Sequence, residues 1–523
     1  MNRKKTEKEL MEENKRLKTE NERLKKNVTF IKEKLKIQNE KLEDLLKDNN
    51  IRKYQEYRRQ YELVLEERKI ERASHKKEVE NLKTTIQNLT GRINKNSSNS
   101  SIPSSSEIIF TKKKCVNTSR EKTDRKSGGQ LGHKGTGLTK QKAEELIKSG
   151  KVEHVIEEHV LDGADINSCE CVVKYEIDIE IKTKVIEHRF YIKENKNEMP
   201  EEYNTDVQYG NNLKAFTAIE VNEGFISLNR TAKIINEITN NTINLSQGTI
   251  VNFNKELAMN SANTMESIKD ALIKVGVLHI DETGLRVNGE LSWLHTATTD
   301  LYTYYQVNEK RGKEGIKNMG ILEYFVGVLV HDHFTTYYQY KAMTHAECNA
   351  HILRYLKQVI ELFKRDGATK FLEFLVRINN EKKNIEKTGN SNFEGKKIEE
   401  IEKEYILILN NWKTEYERYI KGKKKNKSLE EEENLFKRLI EYKEEHLLFI
   451  KDFKVPFSNN LAEKALRMIK TKLKVSGCFR GKDKGSYFAT IRSLFETTKK
   501  HGMNLHDTVR KVFNNENVEF VKA

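Results

Sequence analysis

Long apolar runs are missing from this sequence, and no stretch approaches the roughly 20 residues that a membrane-spanning helix needs. The first residues, MNRKKTEKELMEENKRLK, lack the apolar centre of a signal peptide. Cysteine is scarce: Cys115, Cys169, Cys171, Cys348 and Cys478 are all there are in 523 residues. Five thiols build no disulfide framework and fit a reducing compartment. Acidic residues are outnumbered, 79 against 95 Lys and Arg, which leaves a net charge of +16. Together these shortages exclude a membrane protein and a disulfide-stapled secreted domain. The expectation is a cytoplasmic protein with a polyanionic partner, nucleic acid rather than a membrane.

The first 95 residues contain no proline and a single glycine, Gly91. Leu10, Leu17, Leu24 and Ile31 recur every seven residues, with Asn14, Asn21, Val28, Leu35 and Leu42 in a second register. These are the a and d positions of a coiled coil, so residues 1–95 are expected to self-associate into a homo-oligomer. Residues 96–150 follow as a polar linker, NSSNSSIPSSS, and a basic, glycine-punctuated segment, KSGGQLGHKG. The basic segment suits a phosphate backbone, with Lys126, His133 and Lys134 as candidate DNA contacts.

Residues 151–209 alternate in short runs such as KYEIDIEIKTKVIEHRFYI and are expected as a small β-rich module. Cys169 and Cys171 stand just before those runs; a C-x-C pair is half a zinc site, so zinc and two free thiols both remain open. Residues 210–275 read as a helix, the turn NNTINLS, and a helix opened by Ser246, which is a helix-turn-helix-like pattern. A plain helical packing module fits the same pattern.

From residue 276 the pattern becomes strand. The run Val277-Leu278-His279-Ile280 ends on Asp281, and Asn288-Gly289 signals a hairpin between GLRV and ELSWLHTAT. A second apolar run, Phe325 to Val330, is followed by Asp332. If the second strand returns parallel to the first, the two carboxylates meet at one edge, where their repulsion calls for a divalent cation. Oxygen ligands suit magnesium or manganese. A third acid lies in VPFSNNLAEKALRMIKTKLKVSGCFRG. There Pro456 and Ser458-Asn459 signal a helix start. Leu461, Ala465 and Met468, with Ala462, Leu466 and Ile469, give that helix a buried stripe, and Glu463, Arg467, Lys470 and Lys474 share the other face. That face reads either as a metal ligand beside a phosphate track or as a solvated surface of salt bridges. Lys472 and Arg480 are further candidate phosphate contacts. His345, Cys348 and His351, three apart on an expected helix, are poorly placed to hold one zinc ion. His331 and His333 flank Asp332, as packing neighbours or as proton carriers.

In order, HIDET, LVHDHFTTYY and NNLAEKALRMIKTKLKVSGCFRG resemble the three acidic motifs of the DDE transposases of the insertion-sequence-sixty-six family. The linker, KSGGQLGHKG and HAECNAHILRYL resemble markers of the same family. The resemblance implies an α/β fold: a ribonuclease-H-like core, with a mixed five-stranded sheet and helices, over residues 276–340 and 451–500. It implies a helical insertion over 341–450 and a C-terminal tail over 501–523. Asp281, Asp332 and Glu463 become the catalytic triad and the ligands of two Mg2+ or Mn2+ ions. The implied partners are double-stranded DNA, namely the terminal inverted repeats and the target, with room for accessory proteins of the same element. The implied setting is the bacterial cytoplasm, on the nucleoid when DNA is bound. The family's paired cysteine motifs are reduced here to Cys169 and Cys171, which leaves zinc undecided. Two other readings stand beside this one: a coiled-coil DNA-binding protein without catalysis, and a nuclease of the same fold without strand transfer.

Overall fold

The computed structural model describes residues 7–47, 51–93, 139–159, 172–191, 203, 205–422 and 425–520. Two long helices open the chain, α1 (Glu7–Lys47) and α2 (Ile51–Ile93). They pack against each other. The less exposed positions of α1 are Glu20 and the expected heptad positions Asn14, Leu17, Asn21, Leu24, Ile31, Leu35 and Leu42, while Val28, also expected there, is exposed. Those of α2 include Tyr54, Tyr57, Tyr61, Val64, Arg68, His75, Glu78 and Leu82, also at heptad spacing. The face expected to join two copies is therefore covered within one chain: the heptad marks a helix-packing face without naming the partner.

A short helix, α3 (Lys140–Lys148), is capped by Thr139, whose hydroxyl accepts from the Lys142 N–H. The expected β-rich module differs from expectation. Residues 151–159 and 172–191 form no strand, and Ile179, Val185 and Tyr191 are exposed. Alternation supplies two faces, but a strand also needs a neighbouring edge to pair with.

Four helices follow: α4 (Asn211–Asn222), α5 (Leu228–Ile238), α6 (Gln247–Asn260) and α7 (Ala262–Ile273). Ser246 caps α6 as its position suggests, accepting from the Thr249 N–H at 3.0 Å. These helices are built into the main core: Ile235, Leu257 and Ile268 share one buried cluster with the sheet residues Leu278, Ile280 and Leu329.

The sheet comprises β1 (Val277–Val287), β2 (Glu290–Thr298), β3 (Thr303–Asn308), β4 (Val328–His331) and β5 (Thr344–Glu347), in the order β3-β2-β1-β4-β5. The first three strands are antiparallel, and β4 and β5 add in parallel. Asn288 (φ 51°) and Gly289 (φ 83°) make the two-residue turn between β1 and β2, a backbone that this pair tolerates at low cost. Gly327 lets β4 start tight against β1: a Cβ there would lie 2.5 Å from the Gly276 carbonyl oxygen. The helix α8 (Lys313–Asn318) occupies part of the crossover.

The fifth strand corrects one expected boundary. Residues 341–450 were expected as helix, yet Thr344–Glu347 is the outer parallel strand, and the helices begin after it. They are α9 (Asn349–Phe363), α10 (Asp366–Lys387), α11 (Gly395–Ile420), α12 (Lys427–Glu441) and α13 (Lys443–Lys451). Their own core includes Phe371, Tyr405 and Trp412 and joins the sheet through Val330 and Ala346.

The chain returns to the sheet as α14 (Asn460–Ser476), α15 (Lys482–Lys500) and α16 (Leu505–Phe513). Helix α14 covers one face through Leu466 and Ile469, which pack with Leu285, Val287 and Leu294. Along the β3 edge, Ser493 Oγ accepts the Tyr305 N–H at 2.8 Å, and Thr497 Oγ1 accepts the Thr303 N–H at 3.1 Å. Hydroxyls on one helix thus cover an open strand edge. The expected tail is no tail: Val509, Val512 and Phe513 of α16 are buried in the main core. No helix among the described residues is long and apolar enough to cross a membrane.

If α16 is core, Phe513→Ala should destabilise the sheet by about 3–5 kcal/mol, as removal of a buried aromatic ring does. The urea midpoint of full-length protein reads this directly; an unchanged midpoint would restore residues 501–523 to the status of a tail.

Candidate active site

The two strands that carry acids lie side by side. Val277 pairs with Val328, Leu278 with Leu329 and His279 with Val330, each 51 residues apart (328 − 277). Asp281 and Asp332 share that offset. Strand β1 does not end on Asp281 as the sequence suggests; it continues to Val287, still paired with β2. What ends near Asp281 is its pairing with β4. Leu278 and Ile280 face the main core, while Leu285 and Val287 face α14. By alternation Asp281 is on the α14 face. Glu282 is on the other, buried, where Arg311 donates to its Oε1 at 2.8 Å and the Tyr337 hydroxyl bonds its Oε2.

Asn459 brings in the third acid. It precedes α14, yet its side chain caps nothing there. Its Nδ2 donates to the Ile280 carbonyl at 2.6 Å, its Oδ1 lies 2.9 Å from His279 Nδ1, and its backbone N–H reaches Cys348 Sγ at 3.1 Å. The first turn of α14, with Glu463, is thereby held against β1 beside Asp281. Glu463 Oε2 accepts from Arg354 Nη2 at 3.3 Å, and its Oε1 lies 3.8 Å from His351 Nδ1. Both Glu463 Oε1 and His351 Nδ1 are buried without a hydrogen-bond partner.

The electrostatics are those of crowded carboxylates, only partly offset by arginines. Burial pushes the Asp281 carboxyl well above its usual range, and the charges of Asp332, Glu282 and Glu463 add to the shift. One backbone N–H, from Glu282 at 2.8 Å, opposes it. Burial and Glu282 push Asp332 up to about 6, against the Phe334 N–H and the guanidinium groups of Arg311 and Arg438. Two raised carboxyls, Asp281 and Asp332, and the orphaned oxygen of Glu463 form a donor set that fits hard divalent cations. Their oxygens nonetheless do not close into the tightest cluster. Among the described residues, the ligand atoms within 4.8 Å of one another are those of Cys348, His351 and Glu463.

A second buried acid is treated in the opposite way. Glu347, at the end of β5, accepts from Arg438 Nε at 2.8 Å and Nη2 at 2.6 Å, lies 2.9 Å from His446 Nε2, and bonds His333 and Tyr338. Burial alone would raise its pKa; the bonds from His333 and His446 and the charge of Arg438 hold it far below the carboxylate range. The histidines flanking Asp332 therefore part company. His331 is buried, bonded to His345 at 3.0 Å, and depressed by burial to about 3. His333 lines a pocket of about 190 Å³ with Asp332, His351, Arg311, Arg438, Phe334 and Tyr355.

The other expected residues divide. Arg467, Lys474 and Arg480 are exposed, and Lys470 is half-buried with its Nζ donating to the Gly284 carbonyl at 3.2 Å. Lys472 is not available to DNA. It is buried, donates to the Val221 carbonyl at 3.3 Å, and burial depresses it to about 8. Lys126, His133, Lys134, Cys169 and Cys171 lie outside the described residues. His345, Cys348 and His351 do not share a helix: His345 is in β5, Cys348 precedes α9, and His351 alone is on it. Buried Cys348 has its thiol pushed up to about 12, chiefly by burial and then by Glu463. Arg354, Glu347, Arg438 and the side-chain role of Asn459 were not expected.

A model of the Transposase IS66 family matches residues 206–486, more than half of the chain and all of the sheet and acids described above. No curated protein matches.

The raised pKa of Asp332 sets the sign of a pH effect. Below about 4 the group is protonated folded and unfolded and contributes nothing; above about 6 it is ionised in both states and the cost of its burial is complete. Metal-free protein should lose stability as pH rises through that interval. Asp332→Asn should remove roughly 1–3 kcal/mol of the loss, at 1.36 kcal/mol per unit of displaced pKa. Urea midpoints at pH 4 and pH 7 in chelator decide it; an equal loss in the variant would refute the electrostatic reading.

Proposed function

The chain belongs to the Transposase IS66 family, and from that premise we propose that it binds the ends of its own element, cuts DNA there and joins the freed strand to a target. The observation that carries the proposal is that Asp281 on β1 and Asp332, just past the end of β4, share the 51-residue offset of these parallel strands, with Glu463 in the first turn of α14 close enough for its charge to act on Asp281. The order β3-β2-β1-β4-β5, with three antiparallel strands and two parallel additions, supports a ribonuclease-H-like core.

Asp281, Asp332 and Glu463 would hold magnesium or manganese. When bound, such ions would activate the attacking oxygen and stabilise the leaving oxygen of an in-line displacement. Arg354 and Asn459 act as positioning residues, the first on the Glu463 carboxylate and the second on its helix. Exposed Arg467, Lys474 and Arg480 offer charge to the DNA backbone along and just beyond α14. Arg311 and Arg438 line the pocket beside Asp332, each also paired with a buried carboxylate, Glu282 and Glu347.

Asp281→Ala, Asp332→Ala and Glu463→Ala should each abolish cleavage of labelled element ends in magnesium while the gel shift with the same DNA persists. Cutting without joined products would leave a nuclease, and a shift without cutting in the unaltered protein would leave a DNA-binding protein. For the phosphate track, Arg467→Gln, Lys474→Gln and Arg480→Gln should each reduce the slope of log K against log salt by about 0.9. Lys472→Met should leave that slope unchanged, since its ammonium is spent on a backbone carbonyl.

A further inference from the structure

Glu463 belongs to two constellations. One is the acidic set on the face of β1. The other is Cys348, His351 and Glu463, whose ligand atoms all lie within 4.8 Å of one another. We propose that Cys348, His351 and Glu463 form a second metal site, selective for a thiophilic divalent cation of the zinc type, which withdraws Glu463 from the acidic set and so inhibits cleavage. The inhibitory part rests on the transposase reading; the binding part does not.

The geometry is close to what such an ion requires. Zinc with thiolate at about 2.3 Å and nitrogen or oxygen at about 2.0 Å places tetrahedral ligands about 3.3–3.6 Å apart. His351 Nδ1 and Glu463 Oε1 are 3.8 Å apart, so they need to close by only a few tenths of an ångström. Both atoms are buried and unpartnered. An orphaned imidazole nitrogen facing an orphaned carboxylate oxygen is a costly arrangement unless something lies between them.

The two oxygens of Glu463 are already separated in role. Oε2 is engaged by Arg354, whereas Oε1 points toward His351. The three ligands come from rigid places: Cys348 sits between β5 and α9, His351 is in the first turn of α9, and Glu463 is in the first turn of α14. The Asn459 N–H to Cys348 Sγ contact ties these helix starts together. Three protein ligands leave a fourth position for water, as in open zinc sites. The donor set also sorts the metals. Thiolate and imidazole favour zinc or cobalt, whereas Asp281 and Asp332 offer only oxygen and favour magnesium. Binding displaces the Cys348 proton to solvent, as a coordinating thiol requires.

The test uses the full-length Cys169→Ser/Cys171→Ser protein, stripped of metal and titrated with Co2+. One equivalent should bind with a thiolate-to-cobalt charge-transfer band. The band should vanish in a further Cys348→Ser variant, and its midpoint should move at least tenfold in His351→Gln. It should persist in Asp281→Ala, which separates this site from the magnesium site. Circular dichroism and thermal melts verify that each variant is folded. No band, or a band that survives Cys348→Ser, overturns the site whether or not the protein cuts DNA. In the cleavage assay, Zn2+ added over excess Mg2+ should inhibit the parent at least tenfold more strongly than the Cys348→Ser variant. Equal inhibition of the two would overturn the regulatory role and leave the transposase reading intact.

Discussion

Asn459 joins three parts of the chain that are far apart in sequence. Its amide bonds the main-chain oxygen of Ile280 and the ring of His279, about 180 residues away, and its own N–H rests on Cys348. The residue is buried, so each of these polar contacts is made where water cannot substitute for it. Everything at the site follows from this attachment. It sets where α14 begins, and the helical repeat then sets where Glu463 and the basic residues after it emerge. A helix start that spent its asparagine on capping would leave that placement to apolar packing alone, which tolerates sliding of one element over another far more readily than a directed amide bond does.

Two buried acidic environments, on neighbouring strands of the sheet, illustrate how charge is managed here. Glu347 has a guanidinium and two histidines to itself and remains ionised at any ordinary pH. Asp281 and Asp332 accept one backbone N–H each, and burial with the charge of Glu282 outweighs the guanidiniums of Arg311 and Arg438 near Asp332, so both are raised. A protein selected for stability alone would not leave the second pair so exposed to its own repulsion. Such an imbalance is the chemistry of a donor set that fits a divalent cation. Glu347 and its partners then serve as a firm wall on which the unstable set is mounted.

What was legible in the sequence was mostly local. The Asn288-Gly289 turn, the Ser246 cap, the strand runs before the two acids and the stripe of α14 all depend on residues within one element. The register of β1 and β4 was a conditional reading that the offset of 51 now fulfils. What failed depended on partners. The heptads of α1 announced a packing face without announcing that α2 of the same chain packs against α1. Lys472 read as a phosphate contact, but Val221 and Phe488 close over it from other helices. HAECNAHILRYL read as one helix because β5 is only four residues long and its alternation is too brief to stand out. The bond between Arg438 and Glu347 spans 91 residues and leaves no trace in either neighbourhood.

The covering of β3 by α15 has a bearing on how the protein is made. Tyr305 and the serine that receives its N–H are separated by 188 residues. At translation speeds of about 5–20 residues per second, that strand leaves the ribosome roughly 10–40 s before its cover does. During that interval the nascent sheet presents an unpaired edge, next to an unfinished helical insertion. Synthesis of this chain is therefore a period of exposure to mispairing, closed only when the last hundred or so residues emerge, and the same late segment carries the third acid. A product cut before α14 would lack both that cover and Glu463.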